Sequence, residues 1–420
     1  MSRHGYFSGL LSSVFEPRRP AFATRDGRSI VEQCRALMDA RGDTAILALS
    51  ASILATFRDM EGEARREFFG YLAEELDVDA GAVAERAAAY EGDPSPGNLA
   101  ALLEVAEPAR QRLFRRLNYA EGATADLLGL REAVLREIPD NPDFRKIDLD
   151  LVHLFTSWFN RGFLVLRRVD WSTPADILEK IIAYEAVHEI NDWDDLRRRI
   201  QPEDRRCYAY FHPRVPEDPL IFVEIALTRS IPGSVQTLLS EDRVPEDPEA
   251  LDTAVFYSIS NCQPGLAGIS FGEALIKRVV ADLMAEMSRL KTFVTLSPIP
   301  GLRRWAEPLL AEDAAPEGDA LAGLAAHYLA QSKRADGVPR DPVARFHLSN
   351  GARIENVVAG ADTSPNGQGQ SWGAMVNYRY DLGAIEKNAT AFASGNRIAL
   401  SRRVQQLSKQ GSKLIEPEVA

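Results

Sequence analysis

Hydrophobic positions in the first third of the chain recur at helical spacing. Phe68, Leu72 and Leu76 fall four apart, and Leu99, Leu102, Leu103 and Ala106 follow the i, i+3, i+4, i+7 pattern. Leu127, Leu130 and Val134 repeat it, with Ile138 one turn further. The pattern breaks at Gly42-Asp43, Asp77-Val-Asp79, Gly92–Gly97 and Gly122-Ala-Thr124. Breaks this short join helices directly, so residues 28 to 138 are expected to form an antiparallel helical bundle. Its charged positions are mostly Glu and Arg on outer faces, and few of its side chains suit chemistry. A scaffold or oligomerisation unit is the reading.

From residue 207 the pattern shortens to strand-like runs. Cys207–Phe211, Leu220–Leu227 and Ala254–Ser260 read as strands. A helix is expected over Phe271–Leu290, with Ile276, Val279, Val280, Leu283 and Met287 on one face. Further strands are expected at Phe293–Leu296, Arg345–Leu348 and Gly373–Tyr380. Strands alternating with helices imply an α/β domain around a partly parallel sheet. Between the two parts lie a boundary at Pro139–Asp143, an aromatic connector over Leu149–Leu166 and a helix near Pro174–Val187. The expected domains are therefore 1–145, helical, and 146–420, with 146–206 as connector and helices.

Composition narrows the function classes. The chain has 420 residues, 45% hydrophobic and 26% charged, the balance of a soluble globular protein. Its net charge of −12 argues against a nucleic-acid or anionic-membrane surface. No apolar run approaches the ~20 residues that a membrane span requires. The start, Met1-Ser-Arg-His-Gly-Tyr, lacks the layout of a signal peptide, and the end, Glu416-Pro-Glu-Val-Ala420, is no organelle address. Three scattered cysteines, Cys34, Cys207 and Cys262, fit a reducing cytoplasm rather than a disulfide framework. No Cys/His cluster has metal-ligand spacing, so no metal site is expected.

Four features could carry chemistry. Residues 261–269, "NCQPGLAGI", place two glycines at a strand-to-helix junction. Such a loop either makes a tight turn or offers its N–H groups to a phosphate. Among the six histidines, His212 and His347 stand beside turn residues, where functional groups concentrate. His4, His153, His188 and His327 read as structural. Ser258 and Ser260 lie two apart, so both hydroxyls point to one face of their strand. Tyr378 and Tyr380 alternate likewise in "GQGQSWGAMVNYRYDL", either packing on the sheet or donating to a carboxylate or enolate.

The segments "FYSISNCQPGLAGISFGEALIKRVV", "TLSPIPGLRRW", "VARFHLSNGARIENV" and "MVNYRY", in this order, resemble the malonyl-CoA decarboxylase family. "YEAVHEINDWDDLRRRI", "RRCYAYFHP" and "PLIFVEIALT" extend the likeness upstream to about residue 180. The resemblance implies an N-terminal all-α helical oligomerisation domain, making a homodimer or homotetramer. It also implies a GNAT-like (acyl-CoA N-acyltransferase-like) α/β catalytic domain. The implied activity converts malonyl-CoA to acetyl-CoA and CO2, with no metal or organic cofactor. The family's catalytic serine and histidine match Ser258 and His347, and Tyr380 matches an active-site tyrosine. Ser230, Ile231, Pro232, Gly233, Ser234, Val235 and Gln236 match a malonyl-CoA-contacting stretch. The loop Gln263, Gly265, Leu266, Ala267 and Gly268 falls where the GNAT fold binds the coenzyme A diphosphate. It departs from the GNAT pattern Gln/Arg-x-x-Gly-x-Gly/Ala by having Cys262 in first place, with Gln263 one residue late.

The implied chemistry is physically reasonable. Loss of CO2 leaves a thioester enolate, which needs donors aimed at its charge and an acid for C2. Histidine titrates near neutrality, so His347 suits the acid. Ser258 would orient the malonyl carboxylate or carbonyl, and Tyr380 would orient His347 or that carboxylate. The alternative is a GNAT-type acyltransferase, which would use the same loop with an amine acceptor.

Overall fold

A computed structural model describes residues 26–269, 272–310 and 316–415. His4, both chain ends, and Ser270 and Phe271 at the start of the expected long helix lie outside the described residues. The chain divides into two compact units, one running to residue 157 and including 265–267, the other formed by the remainder from 158.

The first unit is helical: α1 (Ile30–Asp39), α2 (Asp43–Asp59), α3 (Gly62–Glu74), α4 (Ala80–Gly92), α5 (Pro96–Ala106), α6 (Ala109–Leu117), α7 (Ala123–Glu137) and α8 (Arg145–Trp158). Local signals start several of them. Ser29 and Glu32 form a capping box on α1, Asp79 accepts from Gly81 and Ala82 N–H on α4, and Ser95 precedes Pro96 on α5. Leu37, Leu54, Phe69, Leu72, Leu113, Phe114, Leu127, Val134, Leu151 and Phe155 make the core. The stripe on α5 behaves differently from the others. Neither α4 nor α5 buries a residue, and Leu99 and Leu103 are 39% and 62% exposed. The two helices pack on each other as a hairpin and leave these leucines uncovered. The first part of the expected aromatic connector is the end of α8.

In the same unit, Gly265 lies against α7. A Cβ there would meet the Leu128 carbonyl oxygen at 2.4 Å, and Arg131 Nη1 donates to the Gly265 carbonyl at 2.7 Å. Close backbone approach is thus one reason for glycine at this position.

The second unit is built on a mixed sheet. Its strands are β1 (Val165–Val169), β2 (Arg205–Phe211), β3 (Ile221–Thr228), β4 (Thr253–Asn261), β5 (Thr292–Thr295), β6 (Ser297–Pro298), β7 (Arg353–Val358) and β8 (Met375–Arg379). They run in the order β1-β2-β3-β4-β5-β8-β6, with β7 also on β8. Among the described pairings β4 with β5 is the parallel one, and the rest are antiparallel. Around the sheet lie α9 (Ala175–Tyr184), α10 (Trp193–Ile200), α11 (Val235–Leu239), α12 (Gly272–Glu286), α13 (Leu302–Ala306), α14 (Gly318–Gln331), α15 (Pro342–Ser349), α16 (Pro365–Ser371), α17 (Ile385–Gly395) and α18 (Arg402–Gly411). A parallel pair needs a crossover, and α12 is that element, with Ile276, Val279, Val280 and Leu283 buried.

One expected strand is a helix. Arg345–Leu348 lies inside α15, so His347 sits near a helix C-terminus rather than on a strand. Asp341 caps the helix through the Ala344 N–H at 2.8 Å, and Pro342 takes the first helical position, which suits its fixed φ. Gly351, at φ +82°, ends the turn beyond Asn350 and leads into β7. A Cβ on Gly351 would lie 2.2 Å from the Ile385 carbonyl oxygen.

Candidate active site

The parallel pairing of β4 and β5 ends early. It runs from Thr253 opposite Thr292 to Phe256 opposite Thr295, and the Leu296 N–H then donates to the Phe256 carbonyl. At that level the register of β3 with β4 slips, because Glu224 faces Ser258 while Ile225 faces Phe256, leaving Tyr257 as an extra residue. Beyond this bulge lies a cavity of about 260 Å³. Tyr257, Ile259 and Asn261 line it from β4, Ser297 and Pro298 from β6, and Phe346 and His347 from α15.

His347 is 2% exposed and held on three sides. The Tyr378 ring stacks on the imidazole at 4.4 Å between centroids, 23° from parallel. The Tyr380 hydroxyl lies 2.7 Å from Nδ1, and Ser297 Oγ lies 3.2 Å from Nε2. Ser297 Oγ donates to Thr295 Oγ1 at 2.8 Å, which leaves its oxygen to accept. That direction assigns the ring proton to Nε2, so that Nδ1 accepts from Tyr380. Desolvation pushes the His347 pKa down to about 3, so the ring is neutral near pH 7. Tyr380 is itself anchored on β5 by its N–H to the Phe293 carbonyl at 2.9 Å.

Ser258 is placed differently. It is 2% exposed, and its hydroxyl approaches both carboxylate oxygens of Glu185, at 2.7 and 2.8 Å. Ser260 Oγ joins the cluster at 3.2 Å from Glu185 Oε2 and 3.3 Å from Ser258 Oγ. The two hydroxyls share a face, as their spacing requires, but that face meets Glu185. The structure brings His347 and Tyr380 together. Ser258 stands apart from them, one residue from the cavity-lining Tyr257 and Ile259.

The other residues from the sequence reading also separate. Ser230, Pro232, Gly233 and Ser234 line a second cavity, of about 490 Å³, together with Arg205, Arg229 and Arg243. Those arginines are paired, Arg205 and Arg243 to Asp204 and Arg229 to Glu246. Ile231 packs on the core cluster around Tyr257 and Met375. The Val235 N–H donates to the Ala361 carbonyl, and Gln236 Nε2 donates to Asp362 Oδ1 at 3.0 Å. This stretch follows Thr228, which faces Thr253 at the start of β4, whereas the loop Gln263–Gly268 follows its end. Roughly 25–30 Å of strand separates the two. In the loop, Gln263 Nε2 donates to the Pro219 carbonyl at 3.2 Å, Leu266 is buried, Ala267 is exposed, and Gly268 takes φ +79°.

The remaining histidines have local roles. His212 Nε2 lies 3.1 Å from the Trp158 carbonyl and its ring packs on Phe159. His327 Nδ1 lies 3.3 Å from the Ser408 carbonyl, and His153 is exposed on α8. Sequence reasoning missed Glu185, Ser297 and Thr295, whose contacts with Ser258, His347 and Tyr378 span 50 to 83 residues of chain.

The chain thus joins a helical unit to an α/β unit on a mixed sheet, with a buried histidine where two parallel strands part. The family model described as the malonyl-CoA decarboxylase C-terminal domain matches residues 162–317 and 311–417, and its N-terminal counterpart matches 76–159. Malonyl-CoA decarboxylase, mitochondrial, from Anser anser anser is 34% identical over 418 residues, covering 84% of this chain and 82% of the relative. The Rattus norvegicus protein of the same name is 34% identical over 409 residues, covering 83% of each. Among solved structures, malonyl-CoA decarboxylase from Rhodopseudomonas palustris is 46% identical, with a TM-score of 0.84 over 90% of this chain and 98% of that one. The Agrobacterium vitis protein is 44% identical, with a TM-score of 0.85 over 90% and 99%. The chain belongs to the malonyl-CoA decarboxylase family.

Proposed function

We propose that this protein decarboxylates malonyl-CoA to acetyl-CoA and CO2, through a thioester enolate that His347 protonates at C2. Family membership across both units, joined to a cavity with a buried, tyrosine-braced histidine, carries the reading. Breaking the C–C bond leaves an electron pair on C2, delocalised onto the thioester oxygen. The protonated imidazole then gives its proton to C2, and the neutral ring recovers one from solvent. In the free protein that ring is neutral. The malonyl carboxylate beside it favours the imidazolium, since a nearby opposite charge raises a histidine pKa. Tyr380 positions the ring through Nδ1, donating to the neutral ring and accepting from the imidazolium.

Ser258 orients the malonyl carboxylate or thioester carbonyl, and Gln263, Gly265, Leu266, Ala267 and Gly268 take the coenzyme A diphosphate on their N–H groups. Ser230–Gln236 supplies further contacts. No metal or organic cofactor enters these steps. The working location is the cytoplasm; among the described residues no helix is long and apolar enough to cross a membrane. The helical unit assembles a homodimer or homotetramer, and the uncovered Leu99 and Leu103 on α5 support that reading. Carboxyl-labelled malonyl-CoA given without any acceptor should release labelled CO2. No release would remove the proposal.

A further inference from the structure

We propose that Glu185 is the positioning residue for Ser258, holding its hydroxyl at the bulge of β4 and releasing the proton to the malonyl group when substrate enters. The inference rests on the decarboxylase reading above. Glu185 follows α9, 73 residues before Ser258 in the chain. Its Oε1 accepts from the N–H groups of Val187 and His188, both at 2.8 Å, and from Ser258 Oγ at 2.7 Å. Its Oε2 lies within reach of both Ser258 Oγ and Ser260 Oγ. Ser260 Oγ in turn accepts from the Ala186 N–H at 3.3 Å. The turn 185–188 is therefore bound to β4 by one carboxylate, and Val187 of that turn lines the His347 cavity.

This arrangement resolves a difficulty in the role of Ser258. Malonyl-CoA offers a carboxylate and a thioester carbonyl near its reactive carbon, both acceptors. Ser258 can bind either only by donating, and its single proton is engaged by Glu185 in the free protein. For the hydroxyl to change acceptor, the group it leaves must stay satisfied. Glu185 meets that requirement, because two backbone N–H groups and the Ser260 hydroxyl remain on it after Ser258 turns away. Charge-assisted bonds of this kind are the strong ones, so the carboxylate also fixes the Ser258 rotamer in the interval.

The test measures kcat and KM for malonyl-CoA in wild type, Glu185→Gln, Ser258→Ala and the double variant, with melting temperatures alongside. Glutamine keeps an acceptor oxygen for the backbone N–H groups but loses the charge and turns an amide donor toward the serines. Glu185→Gln is expected to lower kcat about tenfold or more with little change in KM, as the loss of one hydrogen bond to a charged group implies. In the Ser258→Ala background the same change should cost less than about twofold, because a residue acting through Ser258 has nothing left to position. Equal losses in both backgrounds, or full activity in Glu185→Gln, would overturn the proposal while leaving the decarboxylase reading intact. An inactive wild type would overturn both. If Glu185→Gln melts early, Glu185→Asp, which keeps the charge on a shorter arm, decides the matter: partial recovery of kcat supports positioning, and none contradicts it.

Discussion

The Tyr380 hydroxyl meets His347 Nδ1 at 2.7 Å, bridging 33 residues of chain between the end of β8 and the last turn of α15. The contact fixes the orientation of the ring, with Nδ1 toward Tyr380 and Nε2 toward Ser297. In Tyr380→Phe the ring keeps its stack on Tyr378 but loses the donor. Turnover should fall about tenfold, the worth of one buried hydrogen bond, with KM nearly unchanged. His347→Gln should cost ~10²–10⁴-fold, the range of a general acid. Steady-state kinetics of the two variants checks the order. A Tyr380→Phe enzyme as impaired as His347→Gln would give the tyrosine a direct part in the chemistry.

His347 also makes stability depend on pH. Its pKa is pushed from 6.5 down to about 3 by burial, so between those values the unfolded chain binds a proton that the native state does not. Stability from this residue is therefore complete above pH 6.5 and declines as pH falls toward 3. Buried His188, pushed down to about 4, acts in the same direction. Glu224, raised to about 8 chiefly by burial, acts oppositely and loses stability as pH rises from 4.5 to 8. Denaturant unfolding at pH 7 and pH 5 should show a smaller acid-side loss in His347→Gln than in wild type. Equal losses would mean that the ring is not held neutral.

Gly265 offers a test of why the loop is small. An alanine Cβ would sit 2.4 Å from the Leu128 carbonyl oxygen, far inside contact distance. Gly265→Ala should lower the melting temperature without any ligand present, through a stability loss in the usual overpacking range of about 1–3 kcal/mol. At Gly268 a Cβ would meet nothing within 4 Å, but φ is +79°, so its alanine variant should suffer through the backbone instead. A Gly265→Ala protein of unchanged melting temperature that binds coenzyme A weakly would place the glycine's role in the ligand alone.

The legible parts of the fold were those whose signal is local. Helices with a buried stripe, such as α7, and strands with long β-branched runs, such as β3 and β4, announce themselves through spacing. The α15 helix did not, because Arg345-Phe-His-Leu348 is too short to separate period 2 from period 3.6. Its start signal, Asp341-Pro342, and its stop, Gly351, were nevertheless present. The α5 stripe shows the converse, since spacing reports an apolar face and says nothing of what covers it. At the site, the family motifs picked out His347 and Tyr380, which the structure joins. Glu185 carried no signal because a lone glutamate after a helix is indistinguishable from a solvated one until β4 is folded against it. The two segments expected to touch coenzyme A looked adjacent in purpose, and only strand register places them at opposite ends of β4.

Decarboxylation with protonation by His347 is tested by mass spectrometry of the purified protein with malonyl-CoA as sole substrate in D2O. Acetyl-CoA carrying one deuterium on its methyl group is expected, formed in proportion to enzyme and lost in His347→Gln. Malonyl-CoA left intact, or free coenzyme A appearing only when an amine is added, would contradict it.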